Sequence, residues 1–530
     1  MPRGRTAAVA LAVAVLVTAC GNAPTLRDRR EEDPTAVTPA ADELAGALLP
    51  AWPVLQPRVP PERPARDPAG GQGAAAPRPG PPLPPVRLLV LSDIHHLSPT
   101  LWEPGDAFAR WLSTNDGKVL ARSGELLAMI EERILREHAR TPLDAAVITG
   151  DLTANGERVG HAEVAAMGAR LRAQGVPLLV IPGNHDMANP WAAEFSGNQA
   201  QRVPTVDRTA MLDIYRESGF GDAVSVAPDD LSYRYDLGEQ LSLIMLDTAM
   251  YDRNAELGFP QPTGEIGPRQ RQWLETELAA ARDEGRALLV FMHHNLLSHG
   301  RLSGYGTLQY VVDDAARLAR SLAEAGVPVV FTGHIHARNS TGTLLESAGW
   351  IYDLAPSAVS LFPHEYRLIS IDEQQQLRLE PRHLVAPLPE TDPARLAYLQ
   401  DFARWSLATY LSDIKVDRRE TLEQELLATA PGDSIAAVLC ESDAEGCTAE
   451  EQLTSMALYL GVWSLLHRDG QNAPGLPSVL TARAPRLGEA RELWRRHAPE
   501  RYARLVRGWG SDPAPPDGPL TIDLRSGLWR

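Results

Sequence analysis

A chain of 530 residues with 44% hydrophobic content is too long for one ordinary domain and apolar enough to bury a sizeable core. Its 51 Lys and Arg against 68 Asp and Glu leave a net charge of -17, which argues against a nucleic-acid polymer as partner, because binding such a polymer takes a basic surface. Three cysteines in this length rule out a disulfide scaffold, while a small phosphate ester stays admissible because bound metal can dominate the local field.

Residues 1–20 start with Arg3 and Arg5, continue as an apolar run from Ala7 to Val17, and close on Thr18-Ala19-Cys20. This pattern reads as a signal peptide, and the run is too short to span a membrane comfortably. Its end resembles the lipobox of bacterial lipoproteins. That resemblance implies lipidation of Cys20 and an exported, membrane-anchored chain on the periplasmic or cell-surface side. Residues 21–85 are rich in Pro, Ala, Gly and Arg without apolar periodicity, which predicts an extended, disordered linker.

The region 86–390 alternates short apolar runs with helical spacing. Strands are predicted at 86–91, 145–148 and 178–181, with helices at 125–138 and 163–174. A long insertion carrying Trp102, Phe108 and Trp111 separates the first strand from the first helix. A second set follows: strands at 232–236, 241–246, 287–292 and 329–331, helices at 268–283 and 313–324, then strands near 350–354, 366–371 and 377–379. Two strand groups with helices outside them predict an α/β fold, a four-layer αββα sandwich. The region 391–510 has helical spacing throughout and predicts a smaller all-helical domain. The tail 511–530, rich in Pro and Asp, reads as loosely held.

Five polar blocks each follow one of the apolar strands: Asp93-Ile94-His95, Gly150-Asp151, Gly183-Asn184-His185-Asp186, His293-His294 and Gly333-His334-Ile335-His336. Loops beyond the carboxyl ends of strands in an α/β sheet converge on one point. Alternation within Asp93-Ile94-His95 and His334-Ile335-His336 predicts extended segments that turn both outer side chains to one side. Carboxylate, imidazole and amide oxygen without thiolate favour Mn, Fe or Zn.

Taken together, the blocks resemble the five-part signature of the calcineurin-like metallophosphoesterases, over about residues 86–383. The resemblance implies two divalent or mixed-valence transition metals. Asp93, His95, Asp151 and His336 would hold one metal; Asp151, Asn184, His293 and His334 would hold the other. It also implies that His185 contacts the phosphoryl group and protonates the leaving oxygen, so His185 and Asp151 are the expected catalytic pair. Asp186 is expected to orient His185. His294 is expected behind the ligands, and His364 is a candidate for the substrate pocket. His161, Asp247 and His299 are weighed between support for the site and burial in the core.

The segment 150–157, the Asn189-Pro190-Trp191 that follows the third block, His293-His294-Asn295-Leu296 and the segment 362–366 resemble an exported bacterial subgroup. Its members join this catalytic domain to a helical C-terminal domain and are described as cyclic nucleotide phosphodiesterases. The expected activity is therefore hydrolysis of a small phosphate ester, a diester first and a monoester or nucleotide second. A metal-containing envelope protein without turnover is the alternative from another class. Export would also allow Cys440 and Cys447 to form a disulfide. Oligomeric state is not legible.

Overall fold

The computed structural model describes residues 79–115, 117–299, 310–345, 348–385, 393–412 and 519–529. Cys20, Cys440 and Cys447, and most of the expected helical domain, lie outside the described residues.

Apart from Arg87 and Thr149, the runs at 86–91, 145–149 and 178–181 are apolar, because both of their faces are covered. They form Val86–Leu91, Ala145–Thr149 and Leu178–Ile181, three parallel neighbours in a seven-stranded sheet. That sheet continues antiparallel through Glu365–Ile371, Gln376–His383, Leu520–Asp523 and Leu528–Trp529. The second sheet also has seven strands, in the order Asn339–Leu345, Gly349–Ala355, Val329–Phe331, Ala287–Met292, Leu241–Leu246, Tyr233–Leu237, Ser225–Val226. Its four central strands, from Gly349–Ala355 to Leu241–Leu246, are parallel.

Alternation sorts the side chains between layers. In Ala287–Met292, Leu289 and Phe291 enter the core between the two sheets, while Leu288, Val290 and Met292 face the helices Pro268–Asp283 and Ala315–Glu324. On the first sheet, the helices Ser123–Arg140 and Arg158–Ala173 bury Leu126, Ile130, Ile134, Val164, Met167 and Leu171. The order of layers is helix, sheet, sheet, helix, and this is the expected four-layer α/β sandwich. Phe291 and Phe331 stack at 5.0 Å within the inter-sheet core.

Two regions differ from the sequence reading. Residues 520–529 are not a loose tail: Leu520, Ile522 and Leu524 are buried at alternate positions, and the two short strands extend the first sheet. The linker ends earlier than expected, since Leu83 is 1% exposed and its backbone exchanges two hydrogen bonds with the Gln375 side chain. The insertion forms the helix Asp106–Leu112, whose Phe108 packs with Trp102, Trp111 and Phe195 beside the antiparallel pair Ala193–Ser196 and Gln199–Arg202. Of the helical domain, Pro393–Ser412 is described, and its Phe402 and Leu407 join the main core.

Candidate metal centre

All five blocks leave the carboxyl ends of parallel strands, so both sheets deliver their polar loops to one edge of the sandwich. Hydrogen bonds then fasten loop to loop. Asp93 N donates to Gly150 O at 3.1 Å and His95 N to Asp151 O at 2.9 Å within the first sheet. Across the sheets, His334 N donates to Asp93 Oδ2 at 3.1 Å and Thr149 Oγ1 to Thr332 O at 3.0 Å.

The expected extended geometry of Asp93-Ile94-His95 and His334-Ile335-His336 is not what brings the side chains together. Asp93, His95, Asp151, His334 and His336 all have positive φ, at 55°, 42°, 49°, 68° and 54°. Residues with a Cβ rarely occupy this left-handed region, and each does so at a cost of about 1–3 kcal/mol that the surrounding fold must offset. The strain folds each block back on itself, so ligands two residues apart converge instead of pointing along one face of a strand. Two glycines are required by the same crowding. Gly150 has φ 98°, and a Cβ on Gly183 would collide with the Asp151 carboxylate and backbone nitrogen.

Two donor groups result, Asp93, His95, Asp151 and His336 in one, and Asp151, His293 and His334 in the other. Within each group the candidate ligand atoms all lie within 4.8 Å of one another, and Asp151 belongs to both. Asn184 Oδ1, 3.2 Å from His293 Nε2, adds the amide oxygen to the second group. His95 Nε2 and His336 Nε2 face each other at 3.1 Å, and Asp151 Oδ2 lies 3.4 Å from His95 Nε2 and 3.6 Å from His293 Nε2. Asp93 Oδ1 is buried and accepts no well-formed hydrogen bond, although His336 Nε2 is 3.3 Å away. Imidazole nitrogens, an amide oxygen and carboxylate oxygens that crowd together at this spacing, with Asp93 Oδ1 left without a hydrogen bond, fit a shared cation. The set of nitrogen and oxygen donors fits divalent transition metals.

The electrostatics point the same way. Burial and then the neighbouring charges of Asp93 and Asp186 raise the Asp151 carboxyl above the usual range, against the pull of His293. Asp93 moves the other way: burial opposes ionisation, but the adjacent His336 and His293 hold its carboxyl low. His95 and His334 are held well below the ordinary imidazole value, each first by burial and then by neighbouring positive charge. Neutral imidazoles are the form that binds metal.

His185 sits at the edge of the cluster, its ring 5.1 Å from that of His95, and with His336 it is one of the ligand-block histidines that are not fully buried. Its Nδ1 is 3.0 Å from Ala154 O and 3.1 Å from Asn155 Oδ1, which assigns the Nδ1 proton and leaves Nε2 for the site. Burial, then the charges of Lys118 and His336, lowers its pKa to about 3.

Asp186 does not hold His185. Its carboxylate accepts from Leu152 N, Thr153 N, Thr153 Oγ1 and Gly183 N at 2.8 to 3.0 Å, so it ties the second block to the third. Asn155 takes the orienting role, and the sequence offers only its place two residues after Thr153 as a hint. His294 stands behind the ligands as expected, with its ring 4.5 Å from His334 and its Nδ1 2.8 Å from Thr248 Oγ1. His364 is fully buried against Phe362 and Phe402, with Nδ1 2.8 Å from Val359 O, and belongs to the core. His161 lies between Tyr215 and the Asp186 carbonyl, Asp247 fastens Leu231, Ala249 and Tyr251, and His299 pairs with Asp353, so none of the three joins the cluster.

Residues 86–338 match the family model of calcineurin-like phosphoesterases. The match supports the calcineurin-like metallophosphoesterase superfamily for the domain that carries the cluster. Over 247 residues, 45% of this chain and 73% of the relative, the sequence is 27% identical to the 3',5'-cyclic adenosine monophosphate phosphodiesterase CpdA of Escherichia coli (strain K12). Among solved structures, a dimetal phosphatase from Danio rerio aligns with 58% of this chain and 98% of its own at 15% identity and a TM-score of 0.41. The phosphopantetheinyl hydrolase of Mycobacterium tuberculosis aligns with 52% of this chain and 90% of its own at 13% identity and a TM-score of 0.27.

Asp151→Asn removes the one carboxylate common to both donor groups, so the variant is expected to lose both metals, read by elemental analysis against the parent; a variant that keeps about two metals per chain would refute the shared-ligand geometry. Because the Asp151 carboxyl is raised above its ordinary value, metal must displace its proton in the lower part of the range. Metal affinity is therefore expected to fall, and proton release on loading to grow, as the pH drops from about 8 to about 5, as calorimetry in buffers of different ionisation enthalpy would record. An affinity independent of pH across that interval would contradict it.

Proposed function

We propose that the chain is a two-metal phosphodiesterase acting on small phosphate esters, with cyclic nucleotides as the first substrates to test. The observation that carries this reading is the pair of donor groups joined by Asp151. A metal pair held by those residues supplies Lewis-acid neutralisation of phosphoryl oxygens and lowers the pKa of water. A structural metal site needs neither an exposed side nor an acid that is not a ligand, and here His185 and His336 keep the cluster accessible. The diester preference draws support from the likeness to the CpdA phosphodiesterase, which is modest in identity.

The chain's own residues divide the remaining work. The bond from water oxygen to phosphorus forms, the bond from phosphorus to the leaving oxygen breaks, and a proton must reach that oxygen. His185 is suited to deliver it from Nε2, because Ala154 O and Asn155 Oδ1 fix the other ring nitrogen. Its low pKa is the value for the protein alone; a phosphate ester beside the ring would add the negative charge that favours the protonated form. Gly183 and Asp186 keep the loop tight enough for the His185 backbone to donate to Asp151 Oδ1 at 3.0 Å.

We further propose that the protein is exported and held at a membrane by lipid on Cys20, with Cys440 and Cys447 bridged in an oxidising compartment. The support is the sequence of residues 1–20.

With Mn added, the protein is expected to hydrolyse bis-p-nitrophenyl phosphate faster than p-nitrophenyl phosphate, and His185→Ala to lower kcat by about 10²–10⁴ while metal content holds. A preference for the monoester would move the assignment to a phosphomonoesterase, and metal without turnover of either ester would move it to a binding protein. Labelled palmitate is expected to enter the parent and not Cys20→Ser in cells; equal labelling, or none in either, would remove the anchor from the reading.

A further inference from the structure

The candidate centre gathers the carboxylates of Asp93 and Asp151, and one cation from the chain itself stands beside it. Lys118 lies in the insertion, just ahead of the short turn Leu120–Arg122, and is 8% exposed. Lysine is seldom buried without a carboxylate, because removing an ammonium from water is costly. Among the described residues no ion pair or side-chain hydrogen bond engages Lys118, and its nitrogen is not one of the sealed, unpartnered polar atoms. The side chain is thus buried along its stem with an open end and no acid of its own.

Its backbone is placed relative to the ligands. The next residue, Val119, donates its N–H to Ser360 O at 2.9 Å, and Ser360 N donates to Asp93 O at 3.2 Å. On the other side, Gly117 packs directly against Tyr410 of the helix Pro393–Ser412. The insertion is therefore wedged between the metal-ligand loop and that helix, and Lys118 is its charged residue at the wedge. Lys118 is also a charged neighbour of both His95 and His185, in keeping with the backbone link through Ser360 to Asp93.

We propose that Lys118 binds the phosphoryl oxygens of the substrate, adding a cationic contact from the insertion to those of the metal pair. The inference rests on the phosphoesterase reading and extends it. A negatively charged phosphoryl group next to His185 supplies the counter-charge that the ammonium lacks in the protein alone, and the flexible lysine stem lets a point charge follow the group.

The test uses the full chain loaded with Mn, as the parent, Lys118→Met and Lys118→Arg. Binding of inorganic phosphate is measured by titration calorimetry, metal content by elemental analysis, and KM with bis-p-nitrophenyl phosphate. Lys118→Met is expected to weaken phosphate binding and raise KM by about tenfold or more with metal content unchanged, the size of a lost charge-assisted hydrogen bond, and Lys118→Arg to recover most of both. A Lys118→Met protein that retains metal and binds phosphate within about twofold of the parent overturns the proposal. So does one that loses metal, since Lys118 would then be a prop for the centre. If the parent turns over neither ester, the phosphoesterase reading fails by itself, and the phosphate titration still decides the role of Lys118.

Discussion

The Asp151 carboxylate is the constraint on which the rest of the structure turns. It is 1% exposed, shares its surroundings with Asp93 and Asp186, and reaches two separate groups of imidazoles. Burying three carboxylates so closely is unfavourable unless each is hydrogen-bonded or neutralised. Asp186 is satisfied by three backbone N–H groups and a hydroxyl. Asp93 and Asp151 are not satisfied to that degree, and two cations would complete them. The fold holds these charges in place by rigid means: two sheets with filled faces, and loop-to-loop hydrogen bonds that leave little room to relax.

Rigidity also accounts for the strained backbone. Five ligands in the left-handed region would relax if their loops were free, but each loop begins where a fully buried strand ends and is fastened to another loop within a few residues. The cost is offset by the packing of the whole sandwich, which is why the metal donors sit at the strand ends.

Much of this was legible in the sequence, for definite reasons. The strands at 178–181 and 287–292 are uniformly apolar and that at 86–91 is so except for Arg87, and the polar residues that follow them stand out against that background. The pairing of ligands into two groups came from family resemblance, and the structure brings Asp93, His95, Asp151 and His336 together in one cluster and Asp151, His293 and His334 in another. Alternation gave the wrong account of Asp93-Ile94-His95, because spacing by two is shared by an extended strand and by a turn that folds back. Asp186 was misassigned because adjacency in sequence says nothing of which way a carboxylate turns; the backbone N–H groups of Leu152, Thr153 and Gly183 outcompete one imidazole for it. The strands Leu520–Asp523 and Leu528–Trp529 were hidden because a few alternating residues gain strand character only from a partner far away in the chain.

The cluster is lopsided, and this orders the approach of a substrate. His293, His294 and His334 form its closed side, with His334 Nε2 held 3.0 Å from the Pro262 carbonyl and the ring of Tyr310 packed 4.9 Å away. The other side is formed by His336 and His185, which are partly open, and by the insertion that carries Lys118. On the proposed role of Lys118, an anion entering from the open side would meet the lysine and His185 before the shared carboxylate. On the closed side burial holds His334 neutral, while the carboxylates of Asp151 and Asp93 pull His293 the other way; on the open side an arriving anion would favour the protonated form of His185. Both halves thus carry metal donors, and they differ in access, a difference set by which strand ends are covered by neighbouring loops.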